Sequence, residues 1–366
     1  MRQITPELTP ELLKHFKDKN RIASAKAYKV NSYRELVEQT AGLSFLNKDY
    51  LLFFRGQKHD HKNRVGSSTF YPTIYRDDYL QVRDLKKKFE TLDTYCKALS
   101  NHFEEQAIDG WKELKRRKLI QWSILQHYEV CSTPLLDFTQ SLRVACSFAM
   151  LDSKEKECFI YVFGLPYLTN RISINSEHDL INVRLLSICP PTALRPYFQE
   201  GFLSGTEDIT YEYDSKSELD FNNRLLAKFI IPNKQSFWSD GFSRIPNKSL
   251  YPPSDPIFKL CEEIKKTTLL NLSTGSIGDF MTAWADLEEK ILNIAKKDNY
   301  RNFSLGEAIT SLFRNNFINE NQYYEFDRLR KFRNIVVHQP RIIKEQQVSE
   351  YIQLLKELKS VLQEIK

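Results

Sequence analysis

The chain has 366 residues, more than one hydrophobic core usually supports, which predicts two domains or one domain with a sizeable appendage. Apolar residues make up 41% and charged residues 27%, with 11 Gly and 14 Pro, a composition that excludes collagen-like and largely disordered classes. Lys and Arg outnumber Asp and Glu by 53 to 47, a net +6, which suits an anionic partner without demanding one. The six cysteines (Cys96, Cys131, Cys146, Cys158, Cys189 and Cys261) are scattered, form no Cys-x-x-Cys pair, and read as reduced, mostly buried thiols of a cytoplasmic protein. Met1-Arg-Gln-Ile-Thr-Pro lacks the apolar core of a signal peptide, and no run approaches the roughly 20 apolar residues of a membrane span. A soluble, intracellular chain without a membrane partner is expected.

In residues 1–44, Leu12, Leu13 and Phe16 suggest one helix and Tyr33, Leu36 and Val37 another, a helical lead-in. Leu51-Leu-Phe-Phe54 is a short apolar run ending in Arg55-Gly-Gln57, which predicts a buried strand whose carboxyl end delivers Arg55 to an edge or cleft. From about 80 to 128 the pattern is helical and highly charged, including Lys115-Arg-Arg-Lys118. After Pro134, Leu135-Leu-Asp-Phe-Thr139 returns to strand character, and Ala145 to Met150 resembles a buried helix. Phe159-Ile-Tyr-Val-Phe163 and Ala227-Lys-Phe-Ile-Ile231 are further strands, each stopped by a nearby Gly or Pro. Residues 45–265 therefore read as one α/β domain.

Tyr251-Pro-Pro-Ser-Asp-Pro256 and the segment Thr267 to Gly278 predict a boundary, beyond which nothing has strand character. Phe280, Trp284, Leu287 and Ile291 fall at helical spacing, as do Leu305, Ala308, Ile309 and Leu312, and later Val348, Ile352, Leu355 and Leu362. A helix from about Asn321 to Gln339, ended by Pro340, completes a four-helix unit over residues 275–366. The expected fold class is α+β: an α/β-type domain followed by an all-α four-helix domain.

The third of these helices carries Arg333-Asn-Ile-Val-Val-His338. Cleaving RNA by internal transfer needs a group to take the 2′-hydroxyl proton, a group to protonate the leaving oxygen, and positive charge at the phosphate. Histidine titrates near neutral pH, and a guanidinium matches phosphate oxygens with a planar donor fork, so no metal is required. On a regular helix Asn334 and His338 share a face, whereas Arg333 and His338 project about 140° apart. One copy makes an open, wide site, more easily completed across a symmetric homodimer of the helical domain. The last turn of the helix favours a protonated His338. Arg328, Arg330 and Lys331 add a basic strip suited to a sugar-phosphate backbone, while Phe326, Leu329 and Phe332 read as core. An ordinary solvated basic helix is the other reading of the same pattern.

This constellation, in the third helix of a four-helix unit, resembles the HEPN family (higher eukaryotes and prokaryotes nucleotide-binding), defined by an Arg, a polar residue and a His at this spacing. The similarity covers about residues 275–366. It implies a metal-independent endoribonuclease, active as a dimer, leaving a 2′,3′-cyclic phosphate and commonly deployed in toxin–antitoxin and antiphage systems. It carries Arg333, Asn334 and His338 into the site. Some members of that superfamily bind without cutting, so a noncatalytic nucleotide- or RNA-binding protein remains open.

A second set of motifs runs through residues 45–265. Phe54-Arg55-Gly56 is followed by Phe70-Tyr-Pro-Thr-Ile-Tyr-Arg76, Gln126-His127-Tyr128, Thr133-Pro-Leu-Leu-Asp-Phe-Thr139 with Ala145 and Phe148-Ala149, Arg195-Pro-Tyr-Phe-Gln-Glu-Gly-Phe202, and Ile230-Ile-Pro232. In order and spacing these resemble the FRG domain, named for its Phe-Arg-Gly triplet. Glu129-Val-Cys-Ser132 departs from the family pattern, which usually has a Gly soon after the His-Tyr pair, and a differently shaped loop is expected there. Arg55, Gln57, His127, Tyr128, Thr133, Asp137, Thr139, Arg195 and Gln199 are polar positions among apolar runs, and such groups need partners. Three readings stand: a salt-bridge network of Arg55, Asp137 and Arg195 that fixes the fold; a sensor pocket for a nucleotide or phage-derived ligand; or, by loose similarity to ADP-ribosyltransferases, an NAD-using site in which Arg55 holds a phosphate or ribose.

His59-Asp-His61 has a metal-like look but no distant matching pair, so a solvated loop and no metal site are expected. Lys115-Arg-Arg-Lys118 reads as a solvated helix face. The combined expectation is an endoribonuclease without metal or cofactor, controlled by an FRG sensor, with RNA as substrate and an antitoxin or phage-derived trigger as partner. The alternative makes the FRG domain an NAD-using ADP-ribosyltransferase and the helical domain a dimerisation or RNA-docking element.

Overall fold

The computed structural model describes residues 1–77, 81–209, 212–213, 215–238, 241–272, 277–296, 304–338, 343 and 345–363, with backbone alone at 269–272, 277, 296, 338, 345–346 and 363. The chain divides into two units, Met1–Lys265 and Lys266–Lys366. In the first unit the order is α1 (Pro10–Phe16), β1 (Tyr28–Lys29), α2 (Tyr33–Leu46), β2 (Leu51–Gln57), α3 (Val82–Glu105), α4 (Trp111–Arg116), α5 (Lys118–His127), β3 (Leu136–Thr139), α6 (Leu142–Met150), β4 (Glu157–Leu165), β5 (Ile172–Asn175), β6 (Leu180–Arg184), α7 (Arg195–Gln199), β7 (Gly201–Gly205), β8 (Leu225–Pro232), α8 (Asn247–Leu250) and most of α9 (Pro256–Leu272).

The strands form one eight-stranded sheet in the order β1-β8-β4-β2-β3-β7-β6-β5. The continuous apolar runs of β2, β4 and β8 occupy its interior, as expected of strands covered on both faces, and β2 pairs with β4 along its whole length, from Leu51↔Leu165 to Gln57↔Phe159. Among the described residues only β1 pairs in parallel, with β8, and every other pairing is antiparallel. The α/β-type domain read from residues 45–265 is therefore a mixed unit of α+β class, built on a mainly antiparallel sheet. The first 44 residues are no separate lead-in, because Ile4, Leu8, Leu12, Phe16, Leu36 and Leu43 share one core with Phe53, Ile160 and Phe229. Thr9 and Ser32 start α1 and α2 by accepting from the backbone N–H of Leu12 and Glu35, the usual means of satisfying a helix's first free donors.

The second unit contains α10 (Ile277–Lys296), α11 (Leu305–Arg314), α12 (Glu320–His338) and α13 (Glu345–Gln363). Its core is the set of apolar stripes read from spacing: Phe280, Trp284, Leu287 and Ile291 from α10, Ala308, Ile309 and Leu312 from α11, Phe326, Leu329, Phe332 and Val336 from α12, and Val348, Ile352, Leu355 and Leu362 from α13. Phe332 stacks on Tyr351 with centroids 3.7 Å apart, and Ser304 with Glu307 forms a capping box at the head of α11. The boundary expected at Thr267 to Gly278 is partly helical, since α9 continues to Leu272. The stop at Gln339-Pro340 lies outside the described residues. Among the described residues no helix is long and apolar enough to cross a membrane, and all six cysteines are free, with Cys131 and Cys189 half-buried and the other four buried.

Gly56 sits where α6 crosses β2, and a Cβ there would lie 1.9 Å from the carbonyl oxygen of Ala145 and 2.9 Å from the nitrogen of Ala149. Neither is a side chain that can swing away, so the helix would have to lift from the strand. Gly56→Ala is expected to lower stability by about 2–3 kcal/mol or more, read from the midpoint of urea unfolding; a midpoint equal to wild type would contradict this packing.

Candidate functional site

In the middle of the sheet β2 lies between β4 and β3, but its pairing with β3 is confined to Phe54↔Thr139. Past that point β2 stays with β4 while β3 stays with β7. The parting opens a cavity of about 370 Å³, within the range of small-molecule sites. Arg55, Gln57 and Lys58 line it from β2 and its exit, Asp137 and Thr139 from β3, Gln126, His127 and Glu129 from the end of α5, Gln199 and Gly201 from the α7–β7 turn, and Phe148 and Tyr251 supply aromatic wall.

Arg55 Nη1 donates to the backbone carbonyl of Asp137 at 2.6 Å, reaching across the gap between the strands. Gln126 Nε2 donates to Asp137 Oδ2 at 2.7 Å, while Gln126 Oε1 accepts from the hydroxyls of Thr133 at 2.5 Å and Thr73 at 3.2 Å. Gln126 is thus held at one end and fixes the Asp137 carboxyl with the other. The Thr139 hydroxyl donates to the Gln199 carbonyl at 2.9 Å, and Gln199 Nε2 to the Leu250 carbonyl at 2.8 Å.

Arg195 stands behind this wall. Its guanidinium lies 5.2, 4.7 and 4.5 Å from the ring centroids of Tyr128, Tyr251 and Phe258, and Nη1 donates to the His127 carbonyl at 3.2 Å. Asp255, 0% exposed, secures the arrangement. Its Oδ2 accepts from the Tyr128 hydroxyl and the backbone N–H of Leu194 and Arg195, and its Oδ1 caps α9 through Ile257 and Phe258.

Of the polar positions singled out from sequence, Arg55, Gln57, His127, Asp137, Thr139 and Gln199 line the cavity, whereas Tyr128, Thr133 and Arg195 support it from behind. The salt-bridge network expected of Arg55, Asp137 and Arg195 does not form. Arg55 takes the carbonyl of Asp137, and Arg195 is held by aromatic faces. Instead, Arg55 Nε, Gln57 Oε1 and His127 Nε2 are buried with no hydrogen-bond partner among the described residues. Each such orphan costs roughly 1–3 kcal/mol, a cost that a bound ligand can relieve. Glu129 adopts φ 56°, so the loop makes a left-handed turn of the kind glycine favours, although no glycine is present.

Burial dominates the electrostatics. It pushes the His127 imidazole down to about 3, with the Arg195 charge adding to the effect, so the ring is neutral at physiological pH. It lowers Arg55 to about 10 against the pull of Asp137, leaving the guanidinium charged. It raises Asp137 to about 6, opposed by Arg55 and Gln126 and reinforced by Glu129.

In the second unit, Arg333 Nη1 donates to Asn334 Oδ1 at 3.1 Å, and Arg333 Nε is buried without a partner among the described residues. Helix α12 ends at His338, whose side chain lies outside the described residues. The basic strip is less free than its sequence implied: Arg330 and Lys331 both pair with Asp327, at 2.7 and 2.8 Å, and Arg328 packs on Tyr351. Elsewhere, Lys115 and Lys118 pair with Glu104 and Asp93 on the surface. The Asp of His59-Asp-His61 turns inward to Ser68, Tyr161 and the buried Lys228, and among the described residues no three His, Cys, Asp or Glu side chains gather to hold a metal.

Gln126, Tyr251 and Asp255 escaped the sequence reading of the site. Gln126 heads the Gln-His-Tyr triplet, and Asp255 before Pro256 is a helix-start signal that would have found it. Comparison with protein families matches residues 51–158 to the FRG domain. That span includes Arg55, Gln57, Gln126, His127 and Asp137 and stops before Arg195, Gln199 and the four-helix unit. No curated protein and no solved structure matches the chain.

Because the folded-state value of Asp137, about 6, exceeds the ordinary 3.8, the stability this proton contributes is complete below pH 3.8 and is lost as pH rises through 6. Asp137→Asn removes that loss. The stability difference between variant and wild type should therefore shift in the variant's favour by about 2 kcal/mol between pH 4 and pH 7. Urea titrations at the two pH values measure it, and a difference that does not change with pH would contradict the raised value.

Proposed function

We propose that the chain is a metal-independent endoribonuclease of HEPN type, in which the four-helix unit cuts RNA and the FRG-containing unit binds a ligand that governs the cut. The observation that carries the reading is Arg333 on α12, with Nη1 held by Asn334 and Nε buried without a partner among the described residues, five residues before the histidine that ends the helix. A guanidinium with a free edge is the group that a phosphate in transit requires. In this reading the 2′-oxygen attacks phosphorus, the bond to the 5′-oxygen breaks, and a 2′,3′-cyclic phosphate and a 5′-hydroxyl result. His338 moves a proton at one of the two oxygens, Arg333 offsets charge on the phosphate, and Asn334 orients Arg333.

Two proton transfers and one His338 per chain favour a symmetric pair of chains. Ile335 and Val337, 42% and 45% exposed beside the motif, give such a pair apolar surface to bury. A toxin or antiphage role, with an antitoxin or phage-derived trigger, follows from the HEPN resemblance. The second reading keeps the chemistry in the first unit as NAD-using ADP-ribosyl transfer; the acid–base groups Asp137 and His127 in one cavity favour it.

With EDTA present, the wild-type chain should fragment RNA, and His338→Ala or Arg333→Ala should reduce the rate at least a hundredfold. Cleavage that survives His338→Ala rejects the ribonuclease reading, and NAD consumption abolished by Arg55→Ala alone moves the activity to the first unit. Mixing His338→Ala with Arg333→Ala chains should restore part of the cleavage if the site is shared. A mixture as inactive as either variant alone rejects the shared site.

A further inference from the structure

We infer that the cavity of the first unit is an oxyanion site: a ligand's carboxylate or phosphate takes the Nε/Nη2 edge of Arg55, and the rest of the ligand reaches Gln57 and His127. The inference stands whether or not the second unit cuts RNA.

The guanidinium of Arg55 is the starting point. It lines the cavity in the middle of the sheet, and among the described residues its one hydrogen bond runs from Nη1 to the Asp137 carbonyl. Among the described residues Nε is buried without a partner and none accepts from Nη2. The unused side is thus the Nε/Nη2 edge, two parallel donors that match the two oxygens of a carboxylate or phosphate. A buried cation with no carboxylate in contact is costly, and an incoming anion offsets that cost. Gln57 Oε1 and His127 Nε2, the other orphans of the same cavity, supply an acceptor and a neutral ring nitrogen. These suit an uncharged donor or acceptor, which makes the ligand a small polar molecule with one anionic end. Phe148 and Tyr251 give it apolar wall.

Asp137 decides when the site is receptive. Its carboxyl faces Arg55 from β2, Gln126 and Glu129 from α5 and its exit, and Arg76 from the segment before α3. An anion on Arg55 cancels the charge that keeps Asp137 ionised, so binding draws a proton onto Asp137. Anion affinity therefore rises as pH falls from about 8 towards 6, and flattens once Asp137 is protonated without ligand.

The test titrates the full chain by calorimetry with two pairs of probes: benzoate against benzamide, and adenosine 5′-monophosphate against adenosine. The charged member of at least one pair should bind at least tenfold more tightly than its uncharged counterpart. Preference in the benzoate pair alone assigns a carboxylate, and in the nucleotide pair alone a phosphate. Arg55→Lys keeps the charge but loses the fork, and should erase the preference. Gln57→Glu, placed at the strand's exit, should weaken the charged probe at least tenfold with little change in melting temperature. With benzoate, which stays ionised throughout, the gain in affinity between pH 8 and pH 6 should vanish in Asp137→Asn. Equal binding, or no binding, by both members of both pairs overturns the proposal. So does a preference that survives both Arg55→Lys and Gln57→Glu. An affinity for benzoate that does not change with pH in wild type overturns the proton coupling.

Discussion

Two neighbouring strands at the centre of a sheet that pair at a single residue leave backbone groups on both without a ladder. In this chain the gap after Phe54↔Thr139 is spanned by a side chain, with Arg55 Nη1 donating to the carbonyl of Asp137. Much of the surrounding polar structure follows from placing a guanidinium there. It remains charged after desolvation, so the neighbouring Asp137 is pulled between burial and attraction, and Gln126, Thr133 and Thr73 form a chain of hydrogen bonds that holds the carboxyl in place. A second tier, Asp255 with Tyr128 and Arg195, ties the ends of α5, α7 and α9 together behind the cavity and keeps the His127 carbonyl occupied.

The legible parts of the fold were those with redundant signals. The second unit's helices repeat their apolar stripe over several turns, and each stripe is found in the core. β2, β4 and β8 are long apolar runs and were visible for that reason. β7, Gly-Phe-Leu-Ser-Gly, carries glycine at both ends and is a strand because β3 and β6 flank it, information that lies elsewhere in the chain. β5 and β6 are a short hairpin at the sheet's edge with the same weakness.

For the site, sequence revealed which polar residues sit among apolar ones but not which way they face. Arg55 and Arg195 look alike in a string; one edges a cavity and the other is enclosed by three rings. Arg330 and Lys331 look like free charges until Asp327, three and four residues earlier, is seen to engage both. Tyr251 comes from a Pro-rich segment whose sequence signals a boundary and the start of a helix but no site, and folding brings it to the cavity wall.

Gly56 adds a consequence of another kind. With no side chain between them, strand and helix meet at van der Waals distance, and this contact acts as a spacer that sets how far Ala145 and Phe148 stand from Arg55. That dimension has no slack in either direction, since a larger residue collides with main chain. A protein built on this plan that is to accept a bulkier or slimmer ligand must change the opposite side, at Tyr251, Gln199 or the turn after His127. Of the Phe-Arg-Gly triplet, then, the arginine bridges the parted strands, and the glycine sets which wall of the cavity is free to vary.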